Sequence, residues 1–370
     1  VNAGVAAAFA ALVAYVTIQL AIYGFFGVVM SGFAAGLGLE LPWYVWSLLV
    51  WAIVTGLSLL SVDVGAKVLG VMLVLEVLVL VIAAVAILAN GGPEGWNLGA
   101  SFSPTEIFAG GFAGTAGIAL AFAFASFIGF EATAIYGEEA KDPKRTVPIA
   151  TYVSIGVISL LFALVSFAMV TGMGASQVID RVIELSGGLA DPAGVLFGLT
   201  EQYVGSWLTV AMGILVLTSL FAGLLAFQNA ASRYFFALGR GGVLPAGVAK
   251  VNKAGAPQTG VIITSTLAAV VMIIFAIAGL DPFANLFSWM SAVTVIAIVL
   301  VEILVSIAVI RYFLTHEGGN VWTTKIAPAL SILLLSGGLY LLMSRFNLLA
   351  GTVPDGVDPS LPESAWLLNG

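Results

Sequence analysis

Hydrophobic residues run along this chain in long blocks separated by short polar loops. Nine blocks stand out: residues 5–30, 44–62, 66–88, 105–137, 147–173, 206–237, 257–280, 283–315 and 324–345. A helix rises 1.5 Å per residue, so about twenty apolar residues cross the ~30 Å hydrocarbon layer of a bilayer. Each block is about that long or longer, and strand-length alternation of apolar and polar residues is absent. The pattern predicts an all-α integral membrane protein with its spans in lipid, and not an outer-membrane barrel. Two polar stretches are longer than turns. Residues 174–205, with Gln177, Asp180, Arg181 and Glu184 and then Asp191-Pro192, predict short amphipathic helices lying over a membrane face. Residues 346–370 carry Pro354, Pro359 and Pro362 and predict an extended tail or the lead-in to another helix, because proline cannot continue a helix.

Composition agrees. Only 8% of residues are charged and 61% are hydrophobic, against roughly 25% charged in soluble domains. The absence of cysteine excludes disulfides and thiolate metal sites. One histidine and scattered carboxylates form no metal or nucleophile constellation, so neither an enzyme nor a cofactor is predicted. The net charge of −7 is spread over short loops, and no basic patch invites nucleic acid. The basic residues do carry information. Lys67, Lys141, Lys144, Arg145, Arg233, Arg240, Lys250, Lys253, Arg311 and Lys325, ten of the twelve, fall in loops on one side of the nine spans. By the positive-inside rule that side is cytoplasmic, and residues 174–205 are external. Trp43, Trp46 and Trp51, near the start of a span, are predicted to anchor at the membrane interface.

The fourth block is too long for a simple span, since residues 105–137 as one helix would reach ~50 Å. It opens with Gly110, Gly111, Gly114 and Gly117 and then reads Ala125-Ser126-Phe127-Ile128-Gly129-Phe130-Glu131. A glycine beside a carboxylate inside an apolar run predicts a discontinuous helix, whose freed backbone groups a ligand can satisfy where lipid cannot. A tilted, kinked helix is the plainer alternative. An ionised carboxylate in mid-membrane costs at least ~2.5–3.5 kcal/mol, so Glu131 is expected to face a cavity or carry a proton. Glu76 and Glu302 pose the same question in the third and eighth blocks, where a protonated acid bonding a neighbouring helix serves as well.

The run Gly129-Phe130-Glu131, followed by Glu138-Glu139, Lys141-Asp142-Pro143, Arg145 and Pro148, closely resembles the signature of the amino acid–polyamine–organocation permeases. A second match runs from Asn229-Ala230-Ala231-Ser232-Arg233 through Ala237-Leu238-Gly239-Arg240-Gly241-Gly242-Val243-Leu244-Pro245 to Pro257. The two together are specific, and the spacing of the spans extends the resemblance over nearly the whole chain. It implies a five-plus-five inverted-repeat transporter fold in a multi-pass protein of the cell membrane, of prokaryotic type. It also implies that the chain, which starts at Val1, runs from the family's third helix to its eleventh and is incomplete at both ends.

The resemblance further implies a mechanism. Carbonyls of Ala125, Ser126 and Ile128 would accept hydrogen bonds from a substrate ammonium, with Gly129 freeing the turn. Phe127 and Phe130 would wall or gate the site, and Glu131 would take up and release a proton, with Glu76 as a second proton candidate. Thr218 and Ser219 fall where sodium-coupled relatives of the fold bind an ion, although a hydroxyl bonded to its own helix explains them more simply. Substrates would be amino acids or polyamines, moved with protons, with sodium, or by exchange. A sensor that binds an amino acid without moving it would have the same sequence pattern.

Overall fold

Prolines and glycines set the helix boundaries. Pro42 precedes one span, Pro143 occupies the first turn of another, and Gly174, at φ +87°, ends the latter. Both placements follow from proline's fixed φ and missing N–H and from glycine's access to positive φ. A computed structural model of the chain describes residues 2–60, 66–108, 116–131, 142–188, 191 and 193–350. The sequence features at Gly110, Gly111, Gly114, Glu138, Glu139 and Lys141, and in the tail beyond Ala350, lie outside the described residues.

The helices are α1 (Asn2–Ala35), α2 (Trp43–Leu59), α3 (Ala66–Asn90), α4 (Leu98–Phe102), α5 (Pro104–Ile107), α6 (Ala116–Phe127), α7 (Pro143–Met173), α8 (Val178–Leu185), α9 (Gly194–Tyr203), α10 (Ser206–Arg240), α11 (Gln258–Ile277), α12 (Ser288–Thr315), α13 (Ala327–Ser344) and α14 (Phe346–Ala350). Single π turns, Pro282–Phe287 and Trp322–Ile326, lead into α12 and α13. Among the described residues there is no strand, and seven helices are long and apolar enough to cross a membrane. With the shorter apolar α2 and α6, they coincide with the nine hydrophobic blocks.

At the centre stands α1, which packs against α2, α10, α11, α12 and the Pro282–Phe287 turn. Its Ala11, Ala14, Tyr15 and Ala21 are buried. Leu160, Ile277, Leu333 and Leu334 point outward, as they do when the solvent is lipid. Where helices approach closely a side chain is missing. A Cβ on Gly117 would lie 2.1 Å from the Leu341 carbonyl oxygen, so α6 can rest on α13 only with glycine there.

A polar network crosses this apolar interior. The Gln19 amide on α1 donates to Gln228 Oε1 on α10 at 2.5 Å. Gln228 Nε2 donates in turn to the Val261 carbonyl (3.2 Å) and to Ser265 Oγ (2.9 Å) on α11. Thr55 on α2 donates to the same hydroxyl at 3.0 Å, and Trp51 Nε1 donates to the Ser265 carbonyl at 2.9 Å. Trp51 is therefore an interhelical pin, a role its position in sequence did not suggest.

Between α7 and α10 the chain forms a 3₁₀ turn (Ala175–Gln177), α8 and α9, in the stretch where short helices were predicted. Val178, Val182 and Leu185 pack on Ile87 and Leu199, while Asp180 and Glu184 face away. Glu94, in the loop after α3, accepts the backbone N–H of Ser176 at 3.1 Å and its hydroxyl as well. These two donors hold the Glu94 carboxyl below the usual carboxylate range.

Candidate functional site

The helix ladder of α6 stops at Phe127. The N–H of Ile128 reaches only three residues back, to the Ala125 carbonyl at 3.2 Å, and that of Phe130 reaches Phe127 at 3.4 Å. Gly129 adopts φ +119°, a conformation a side chain would strain. Its N–H leaves the ladder altogether and donates to Glu131 Oε2 at 2.8 Å. The helix thus ends where Gly129 and Glu131 predicted an interruption. The Ala125 carbonyl, expected to be free for a ligand, is engaged by Ile128.

The second oxygen of Glu131 accepts from the Tyr15 hydroxyl on α1 at 2.7 Å. Tyr15 is 1% exposed, and its ring lies against Phe227 (5.9 Å between centres) and Tyr234 (5.4 Å) on α10. The acid therefore has one donor from its own turn and one from the central helix.

This carboxylate opens on a cavity of about 1230 Å³. The walls come from α6 and its turn, α7, α10, α12 and α13, together with the loop after α10. Phe127, Ile128, Phe130 and Glu131 all line it, and Glu302 faces in from α12, within electrostatic reach of Glu131. Ala125 and Ser126 do not line it. Ala125 packs among the apolar residues between α6 and α12, and the exposed Ser126 hydroxyl donates to the Phe122 carbonyl at 2.8 Å.

A second group of predicted residues assembles elsewhere. Glu76 on α3 lies near Ser219 on α10, and neither lines the large cavity. Thr218 donates to the Leu215 carbonyl of its own helix at 2.8 Å, the plainer of its two predicted roles. Sequence reasoning missed Tyr15. The signal was there, since Tyr15, Gln19 and Tyr23 stand at four-residue spacing on one face of an otherwise apolar helix.

Residues 2–368 match the family model described as amino acid permease. The chain is 36% identical, over 196 residues, to the branched-chain amino acid permease BcaP of Lactococcus lactis, a match covering 52% of this chain and 38% of that protein. It is 26% identical over 273 residues to the amino-acid permease GAP5 of Candida albicans (72% of this chain, 42% of that protein). It is 28% identical over 189 residues to the vacuolar cationic amino acid transporter 4 of Arabidopsis thaliana (51% and 28%). The chain thus spans less than half the length of the curated relatives it matches. A family match along nearly its whole length, the two motifs and the stack of apolar helices agree: this multi-pass membrane protein belongs to the amino acid permease family, within the amino acid–polyamine–organocation superfamily.

Proposed function

We propose that the chain forms the transport core of a secondary permease that moves amino acids or related amines across the plasma membrane of a prokaryote by alternating access. The observation that carries this is the Glu131 carboxylate, held at the end of α6 by Tyr15 and Gly129 and facing a cavity large enough for such a substrate. The substrate amine binds in this cavity beside Phe127, Ile128 and Glu131, and the predicted contacts at Ala125, Ser126 and Gly129, which lie off the cavity wall, are not part of the proposal. Phe127 and Phe130 wall it in, and Glu131 exchanges a proton as the site opens to one side and then the other. Glu76 is the second proton candidate, and Thr218 and Ser219 mark where a coupling cation such as sodium would bind.

Glutamine at position 131 keeps the shape of a protonated glutamate and loses the ability to ionise. In reconstituted vesicles, Glu131→Gln is expected to bind substrate while the pH dependence of labelled amino acid uptake flattens. An unchanged pH profile would move the proton role away from Glu131. Binding without accumulation by the unmodified protein would instead make it a sensor on a transporter scaffold.

A further inference from the structure

The chain between α10 and α11 has no part in the mechanism above, yet Val251, Gly255 and Pro257 belong to the cavity wall. Lys250 and Lys253 assign this segment to the cytoplasmic side by the positive-inside rule. The cavity lies toward that side, since α12, which enters from the outer face, lines it only from Ile298 onward. The base of the segment is fixed. A Cβ on Gly239 would lie 2.9 Å from the backbone nitrogen of Ala249, so the 3₁₀ turn Ala246–Ala249 rests directly on α10. The Thr259 hydroxyl donates to the Gly247 carbonyl at 3.0 Å and ties the same turn to α11.

Past that base, the Asn252 side chain does two separate things. Its Oδ1 accepts the N–H groups of Ala254 and Ala256, each at 3.0 Å, and so shapes the segment itself. Its Nδ2 donates at 2.6 Å to the carbonyl of Leu59, the last residue of α2, where a helix end leaves that oxygen without an intrahelical donor. Two N–H groups on one end of the amide and a carbonyl on the other fix its orientation. Since α2 does not line the cavity, this bond ties part of the cavity wall to a helix outside it. Beside Asn252 stands Val251, an exposed apolar side chain on that wall. We infer that residues 246–257 form a strap at the cytoplasmic mouth of the cavity and that Asn252 is a positioning residue, whose bond to Leu59 sets how readily substrate leaves on that side. The inference rests on the proposed transport role.

The test uses Asn252→Asp, which keeps an oxygen for Ala254 and Ala256 and removes the donor that reaches Leu59. The cysteine-free chain allows Ser306→Cys, a one-atom change on the cavity wall, as a reporter of access in inside-out vesicles holding the full chain. With Asn252→Asp, a thiol reagent at the cytoplasmic face is expected to label this reporter at least about threefold faster, the scale of one lost hydrogen bond. The maximal rate of labelled leucine exchange is expected to change by a similar factor while its apparent affinity stays within about twofold, because the tie acts on the exit and not on the substrate. A side chain that merely finished α2 would alter thermal stability and leave the labelling rate alone. Unchanged labelling with Asn252→Asp therefore overturns the exit role and leaves the transport reading standing. Should that variant not fold, Val251→Ala trims the strap without touching the tie. It is expected to speed labelling by itself, and an unchanged rate there overturns the exit role equally. If the unmodified protein accumulates no labelled leucine, the transport reading fails and the exit role fails with it.

Discussion

Tyr15 joins two parts of the molecule through a single O–H. Its ring is fixed by Phe227 and Tyr234, and its hydroxyl holds one oxygen of Glu131 at 2.7 Å. Phenylalanine at this position keeps the ring contacts and removes the donor, so the carboxylate is left with Gly129 alone. A hydrogen bond to a charged group contributes ~1.5–3 kcal/mol. Tyr15→Phe is therefore expected to leave the fold intact, to weaken substrate binding by roughly 10-fold or more, and to shift the pH profile of uptake without abolishing it. Comparing that profile with the one from Glu131→Gln checks the point. An identical, flat profile would mean that Tyr15 is needed for titration itself and does more than position the acid.

Among elements, α1 and α10 meet through an apolar contact that one buried amide pair crosses. Gln19 and Gln228 are both fully buried, and Gln19 Oε1 has no partner among the described residues. Removing one amide strands the other, whereas removing both leaves apolar groups facing each other. Gln19→Leu and Gln228→Leu are each expected to destabilise by about 1–3 kcal/mol, and the double variant by clearly less than their sum. Thermal unfolding of the four proteins in one detergent measures this cycle, and strict additivity would show that the two amides do not interact in solution. This network also marks how far the sequence could be read. The spans were legible because lipid demands twenty apolar residues in a row, and the end of α6 because glycine beside a carboxylate has little place in a regular membrane helix. Glu131 and its turn were readable on those grounds. Partners such as Tyr15 with Glu131, 116 positions apart, were not, because hydropathy reports depth in the membrane and not which faces meet. The same blindness hid the bond from Trp51 to the Ser265 carbonyl.

For the molecule as a whole, the distribution of basic residues implies a fixed orientation. The chain contains no cysteine, so a single one can be introduced against a clean background. Cysteine in place of Glu184, on the exposed face of α8, is expected to react with an impermeant thiol reagent from outside the cell. Cysteine in place of Lys144, at the exposed start of α7, should react only after the membrane is opened. The reverse pattern would invert the topology and the helix assignment together. The central position of α1 bears on how the protein is made. Gln19 finds its partner 209 residues later in the chain, and Thr17 meets Thr294, its hydroxyl partner at 2.7 Å, 277 residues later. At ~5–20 residues per second, the ribosome needs roughly 10–40 s after making Gln19 before Gln228 exists. Throughout that interval the polar face that later holds the site together lacks the partners on α10 and α12 that it has in the finished fold. Assembly of the site around α1 therefore waits until α10 and α12 have been made.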